Sequence, residues 1–180
     1  IIIRERNNKK EPYIMMISQN MAKALNDQIG AELASEYIYL AMAYKFEDMN
    51  LPVFAKWFYK QAEEEHKHAL KIGKYLVEQG TSAVVPQIPA PQANWKSAQE
   101  ICDGAGEHEK YITKRIHDLV KLARTENDIA TEQFLQWYVG EQVEEVASTT
   151  QLAEMVKHAQ NPGQLMMLEG RVWRLVEEKD

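Results

Sequence analysis

The sequence predicts an all-α protein: a four-helix bundle with one long crossover between its second and third helices, and a short fifth helix at the C-terminus. Three observations predict it. Four long stretches free of internal proline repeat apolar residues at spacings of three and four. Each of those stretches places one glutamate in the middle of its apolar stripe. Between the second and third stretches lies Thr81 to Trp95, TSAVVPQIPAPQANW, which has three prolines and no periodicity.

Taken in order, residues 1–16 read as a leader: charged, rich in Asn and broken by Pro12. The bundle is expected over 17–160, and the last helix over 161–180, packed at the bundle end or against another subunit. Ser18 is a credible N-cap for a first helix reaching about Glu47. At about 100° per residue, Met21, Leu25, Tyr39 and Ala43 fall within roughly 20° of Glu32. Leu51-Pro52 ends a short turn into the second helix, so the two are antiparallel neighbours.

That second helix, VFAKWFYKQAEEEHKHALKIGKYL from Val53 to Leu76, is the most informative stretch. Phe54, Phe58, Ile72 and Leu76 surround Glu65, with His68 one turn on. A carboxylate in a buried stripe is costly unless something compensates it. A metal ion does so and also takes the imidazole nitrogen. The neighbouring Glu63 and His66 share the same Glu-x-x-His spacing, but Glu63 points roughly 160° away from Glu65, onto the face of Lys60 and Lys67. That pair reads as solvated surface.

Gly80 is placed to close the second helix. A helix of this length spans roughly 40 Å, which the extended Thr81–Trp95 segment can cover, returning the chain so that helices two and three run parallel. Ser97 and Glu100 form a capping box for the third helix, whose Ala98, Cys102, Ile116 and Val120 surround Glu109. Glu126 to Asp128 turns the chain. The fourth helix then arranges Phe134, Tyr138, Leu152 and Val156 around Glu145 and runs to about Ala159. Asn161-Pro162-Gly163 separates it from a last helix with Leu165, Leu168, Val172 and Leu175 on one side.

Composition narrows the function classes. The chain has 180 residues, 45% apolar and 27% charged, with a formal charge of −6. A nucleic-acid binder would need a basic face to displace counterions, so none is expected. No membrane partner is expected either, since no apolar run approaches a span. The lone Cys102 excludes a disulfide framework and a CxxC metal knuckle, and the protein is read as cytoplasmic.

Glu32, Glu65, Glu109 and Glu145 thus sit on four buried stripes, with His68 beside them. Two single-Glu helices combined with Glu-x-x-His on others is the ligand pattern of dinuclear carboxylate bundles. The fourth helix departs from it, offering Glu141, Gln142, Glu144 and Glu145 without a histidine.

From about Ile17 to Leu175 the chain resembles non-haem ferritins of the bacterial and archaeal type. The segments that carry the likeness are Leu25-Asn-Asp-Gln-Ile-Gly-Ala-Glu32, Gln61-Ala-Glu-Glu-Glu65-His-Lys-His68 and Phe134-Leu-Gln-Trp-Tyr-Val-Gly-Glu-Gln-Val-Glu-Glu145. The resemblance implies a ferritin-like fold and a ferroxidase. Glu32, Glu65 and His68 would hold one iron, and Glu65 would bridge to a second held by Glu109 and Glu145. Gln142 would sit beside the pair and Tyr39 would hydrogen-bond into it. A third iron site would fall at Glu64, Glu141 and Glu144. It further implies a hollow homo-oligomeric shell of 24 subunits storing ferric mineral.

Two positions depart from the family pattern. Glu36 stands where a small residue is usual, and is expected to meet either the metals or a Lys or Arg. His66 follows Glu65 where haem-carrying bacterioferritins place Met, so no haem is expected. A carboxylate-rich set favours Fe(III) over Fe(II), so two adjacent Fe(II) ions can each give one electron to dioxygen or peroxide. The rival readings are a di-iron oxidase or oxygenase acting on an organic substrate, and a helical bundle with no catalytic role.

Overall fold

The computed structural model describes residues 16–159 and 161–177, so the leader expected over 1–16 falls outside it except for Met16. Five helices follow one another: α1 (Gln19–Asp48), α2 (Pro52–Glu78), α3 (Ala98–Thr125), α4 (Ile129–Lys157) and α5 (Pro162–Glu177). No described residue is in a strand.

Three helix ends are closed in the same way. Asn50, Gly80 and Asn127 take positive φ of 57°, 76° and 55°, and the residue after each donates back to the carbonyl of Phe46, Leu76 and Ala123. Glycine carries no penalty there, and asparagine carries less than other side chains. Sharp, unstrained ends let short connections fold α1 back on α2 and α3 back on α4. Ser18 and Asp128 cap α1 and α4 through their side chains. At α3, Ser97 Oγ accepts from Glu100 N at 3.2 Å, but the Glu100 carboxylate reaches Lys96 N rather than Ser97 N. The capping box is thus shifted by one residue on its return arm.

Residues 81–95 form no helix or strand and pass along the bundle, with Ser82 and Val84 at Asn26, Pro86 at Gly30 and Trp95 at Gly104, as the parallel arrangement of α2 and α3 requires. Side-chain contacts fix the rest. Ser35 meets His108 and Asp27 meets Arg115, so α1 and α3 are antiparallel; Gln61 meets Glu145 and Tyr75 meets Thr131, so α2 and α4 are too.

The fifth helix packs on α2 and α4. Val172 and Val176 are its buried residues, while Leu165, Leu168 and Leu175 are half-buried against the same core. The buried face is therefore turned slightly toward Val176 from the expected stripe. Glu169 accepts from Val53 N at 2.8 Å, supplying the negative cap that Leu51 cannot give α2.

The core is divided. At one end Phe46, Phe54, Trp57, Phe58, Ile101 and Leu152 pack together; at the other, Met21, Leu25, Ile72, Leu76, Ile116 and Leu135. A polar layer crosses the bundle between them.

Candidate metal centre

That layer contains Gln28, Glu32, Ser35, Gln61, Glu65, His68, Glu109, Gln142, Glu145 and Thr149, all buried. The four stripe glutamates are 0–4% exposed. Each comes from a different helix, because each stretch was built with its glutamate at mid-stripe. Ionised, they would repel one another in a medium that also solvates them poorly.

The first two helices contribute the tightest grouping. One ligand atom each from Glu32, Glu65 and His68 lies within 4.8 Å of the others, the only such group among the described residues. His68 Nδ1 is 3.5 Å from Glu65 Oε2. Glu32 Oε1 accepts from Gln28 Nε2 at 2.9 Å. Glu32 Oε2 and both oxygens of Glu65 are buried without a hydrogen-bond donor. Burial first, and then Glu65 for Glu32 and Glu109 for Glu65, push both carboxyls well above the usual range. A proton shared between Glu32 and Glu65 relieves this partly. A cation relieves it fully, and these orphan oxygens beside an imidazole nitrogen fit one.

The other two helices are arranged differently. Glu109 accepts from the Tyr39 hydroxyl and, at 3.2 Å, from Gln142 Nε2. Thr113 Oγ1 lies 2.9 Å from Gln142 Oε1 and 2.8 Å from the Glu109 carbonyl oxygen. Glu145 Oε2 accepts from Gln61 Nε2 at 2.6 Å. Burial, then Glu145, raises Glu109 to about 7, while its two hydrogen bonds pull it down.

His68 is held in an aromatic slot, edge-on to Trp137 and Tyr138, and Tyr138 donates to the His68 carbonyl at 2.8 Å. Its Nε2 lies 3.6 Å from Glu141 Oε2. Of the expected outer site, Glu64 and Glu141 are half-buried and Glu144 is exposed. Glu141 reaches the first group of ligands at His68, and the charge of Glu64 acts on Glu65.

Glu36 corrects an expectation. Its partner is neither a metal ligand nor a Lys or Arg but His66, whose Nδ1 is 3.0 Å from Glu36 Oε2. Glu63 and His66 are otherwise exposed.

Several supporting residues were not singled out from the sequence: Gln28, Gln61, Thr113, Arg115 and His108. Burial holds His108 down to about 4, and its ring stands edge-on to Tyr39 with Nε2 2.7 Å from Ser35 Oγ. A polar residue facing the core at the depth of a stripe glutamate is the signal that could have found Gln28 and Gln61.

A four-helix bundle with carboxylates and one imidazole converging between two apolar cores defines a class: bundles that hold a small metal cluster at mid-height. The comparisons with known proteins agree. The ferritin-like domain matches residues 22–159, and the chain belongs to the ferritin-like family. It is 36% identical over 148 residues to the bacterial non-heme ferritin of Bacteroides fragilis, covering 82% of this chain and 93% of that protein. A probable bacterial non-heme ferritin-like protein of Haemophilus influenzae is 41% identical over 130 residues, 72% of this chain and 79% of its own. The open-pore ferritin of Archaeoglobus fulgidus superposes with a TM-score of 0.84 at 39% identity, covering 87% of this chain and 98% of that one.

Proposed function

We propose that this protein is an iron-storage ferritin whose polar layer is a ferroxidase centre. Fe(II) is its substrate, oxidised to Fe(III) with dioxygen or peroxide and stored as ferric mineral inside a homo-oligomeric shell, for which 24 subunits is the expected number. The observation that carries this is the group of three buried, donor-less oxygens on Glu32 and Glu65 beside His68. Glu32, Glu65 and His68 hold one iron. Glu65 bridges to a second, held by Glu109 and Glu145. Tyr39 and Gln142 orient Glu109 and occupy its oxygens until a cation arrives.

Two apolar surfaces support the shell. Leu70, Val77, Val84 and Val85 are exposed around a groove of about 690 Å³ between α1, α2 and the crossover. Met166, Met167 and Trp173 are exposed on α5. Apolar area of this kind is ordinarily covered by another subunit. The free Cys102 fits a reducing, cytoplasmic setting.

Glu64, Glu141 and Glu144 form a weaker outer iron site, supported by the reach of Glu141 to His68. Changing all three to Gln should alter turnover across repeated iron additions more than the first oxidation. Identical traces in both phases would remove the outer site from the account.

The deciding experiment is an anaerobic Fe(II) titration followed by air, with particle mass measured alongside. Saturable binding, rapid oxidation without any organic substrate, and a large hollow particle are expected. Oxidation at the protein-free rate, or only with an organic co-substrate, would favour the di-iron oxidase reading.

A further inference from the structure

Glu32 is the ligand whose orientation is traced outward most fully, and the trace ends near the surface. Gln28, buried one turn before it on α1, donates from Nε2 to Glu32 Oε1 at 2.9 Å. A primary amide has a donor end and an acceptor end of nearly equal shape. Turned donor-first it satisfies a carboxylate, and turned acceptor-first it repels one. The glutamine side chain does not decide between these by itself.

Arg115 decides. From α3 its Nε donates to Gln28 Oε1 at 2.9 Å. A guanidinium carries only donors, so the amide can face it only with its oxygen. That leaves Nε2 toward Glu32. Two more contacts fix the guanidinium plane: Nη2 donates to the Asp27 carbonyl at 3.1 Å, and Nη1 lies 3.3 Å from the Tyr111 hydroxyl.

We propose that Arg115 is a positioning residue for the metal ligand Glu32: acting through Gln28, it fixes the amide so that Oε1 of Glu32 is occupied and Oε2 is left for the ion. The proposal rests on reading Glu32 as a ligand. Arg115 touches no ligand atom itself, and the whole relay runs across the α1–α3 contact. Supporting partners of this kind orient metal ligands and tune their affinity.

The test is a double-mutant cycle read by metal binding rather than by oxidation. Co(II) chloride is titrated anaerobically into the assembled full-length protein, followed by its visible ligand-field bands and by calorimetry. Arg115→Met should raise the Kd of the tighter Co(II) by roughly tenfold, about 1.4 kcal/mol. Gln28→Leu should do the same. On the Gln28→Leu background, Arg115→Met should add nothing, because the relay is already broken. Arg115→Lys, which keeps a donor for Gln28 Oε1, should recover most of the loss.

A parent-like Kd in Arg115→Met, or an equal loss on both backgrounds, would overturn the relay while leaving the metal site standing. A parent that binds no Co(II), or a Glu65→Ala control that binds it unchanged, would overturn the metal-site reading and the relay with it.

Discussion

On the α1–α2 side of the centre, three of the four carboxylate oxygens have no hydrogen-bond donor; on the α3–α4 side, Tyr39, Gln142 and Gln61 all donate to the two carboxylates. Glu65 has two buried oxygens without a donor and Glu32 has one. Glu109 has Tyr39 and Gln142, and Glu145 has Gln61. Both sides offer two carboxylates, and the α1–α2 side adds the His68 imidazole, so the difference lies in that nitrogen and in the support of the carboxylates. A half that is unsatisfied without a cation gains most from binding one, while a half already bridged by neutral donors gains less. The two ions are therefore expected to bind in order: the first at Glu32, Glu65 and His68, the second at Glu109 and Glu145.

The largest effect should come from breaking the bare half. Glu65→Ala or His68→Ala should lower the rapid phase of Fe(II) oxidation in stopped-flow by about 100-fold or more, a rise of about 2.7 kcal/mol in the barrier. Glu63→Ala, on the exposed face, should leave that phase unchanged. Equal losses at Glu63 and Glu65 would mean that α2 is rotated from the orientation described.

Breaking the supported half should do less. Glu109→Gln keeps the shape and removes the charge, so the first cation should still bind and the second should be lost. Anaerobic titration should then show about half the parent stoichiometry, with oxidation slowed by roughly tenfold. Loss of both ions would show the halves to be one cooperative unit.

The same comparison fixes the pH dependence of the metal-free protein. Glu109 is raised from 4.5 to about 7, and Glu32 and Glu65 are raised in the same direction, all by burial first. A proton held more tightly in the folded state contributes stability below the ordinary carboxylate range. That contribution is lost as pH rises through the folded value. The unfolding midpoint in EDTA should fall between about pH 5 and pH 8, by several degrees. A divalent cation should remove the fall, since it replaces the protons. A midpoint equally pH-dependent with and without the cation would place the titrating groups elsewhere.

The smallest effect tests the support directly. Tyr39→Phe takes one donor from Glu109 and makes the two halves more alike. It should change the first binding step little and the second by a few-fold, seen as altered spacing between the two steps of the titration. An effect confined to the first step would reverse the proposed order.

Much of this arrangement was legible in the residues, and the reason is periodicity. A helix carries its own ruler, so a Glu whose neighbours seven and eleven residues away on both sides are apolar must point inward. That is why Glu32, Glu65, Glu109 and Glu145 could be found, and why Glu63 could be set aside. Helix ends were readable where one residue type carries the turn, as at Gly80, Ser18 and Ser97.

What the ruler does not give is who meets whom across the bundle. The pairing of Glu36 with His66 depends on the rotation of α1 against α2, which brings an imidazole rather than a Lys or Arg to the carboxylate. The supports at Gln28, Gln61 and Arg115 depend on rotamers and inter-helix spacing, and a glutamine on an apolar face has no pattern that marks it as a donor to a carboxylate. The outer acidic residues show the same limit. Glu64, Glu141 and Glu144 share a flank by angle, but angle alone does not place Glu141 Oε2 3.6 Å from the Nε2 of His68.

The most direct test of the centre is anomalous diffraction at the iron edge from crystals loaded anaerobically with Fe(II) in increasing amounts. Two peaks are expected in each subunit at full loading: one among Glu32, Glu65 and His68, which appears first, and one between Glu65, Glu109 and Glu145. A peak appearing first at Glu109 and Glu145, or iron bound only outside the polar layer, would contradict it.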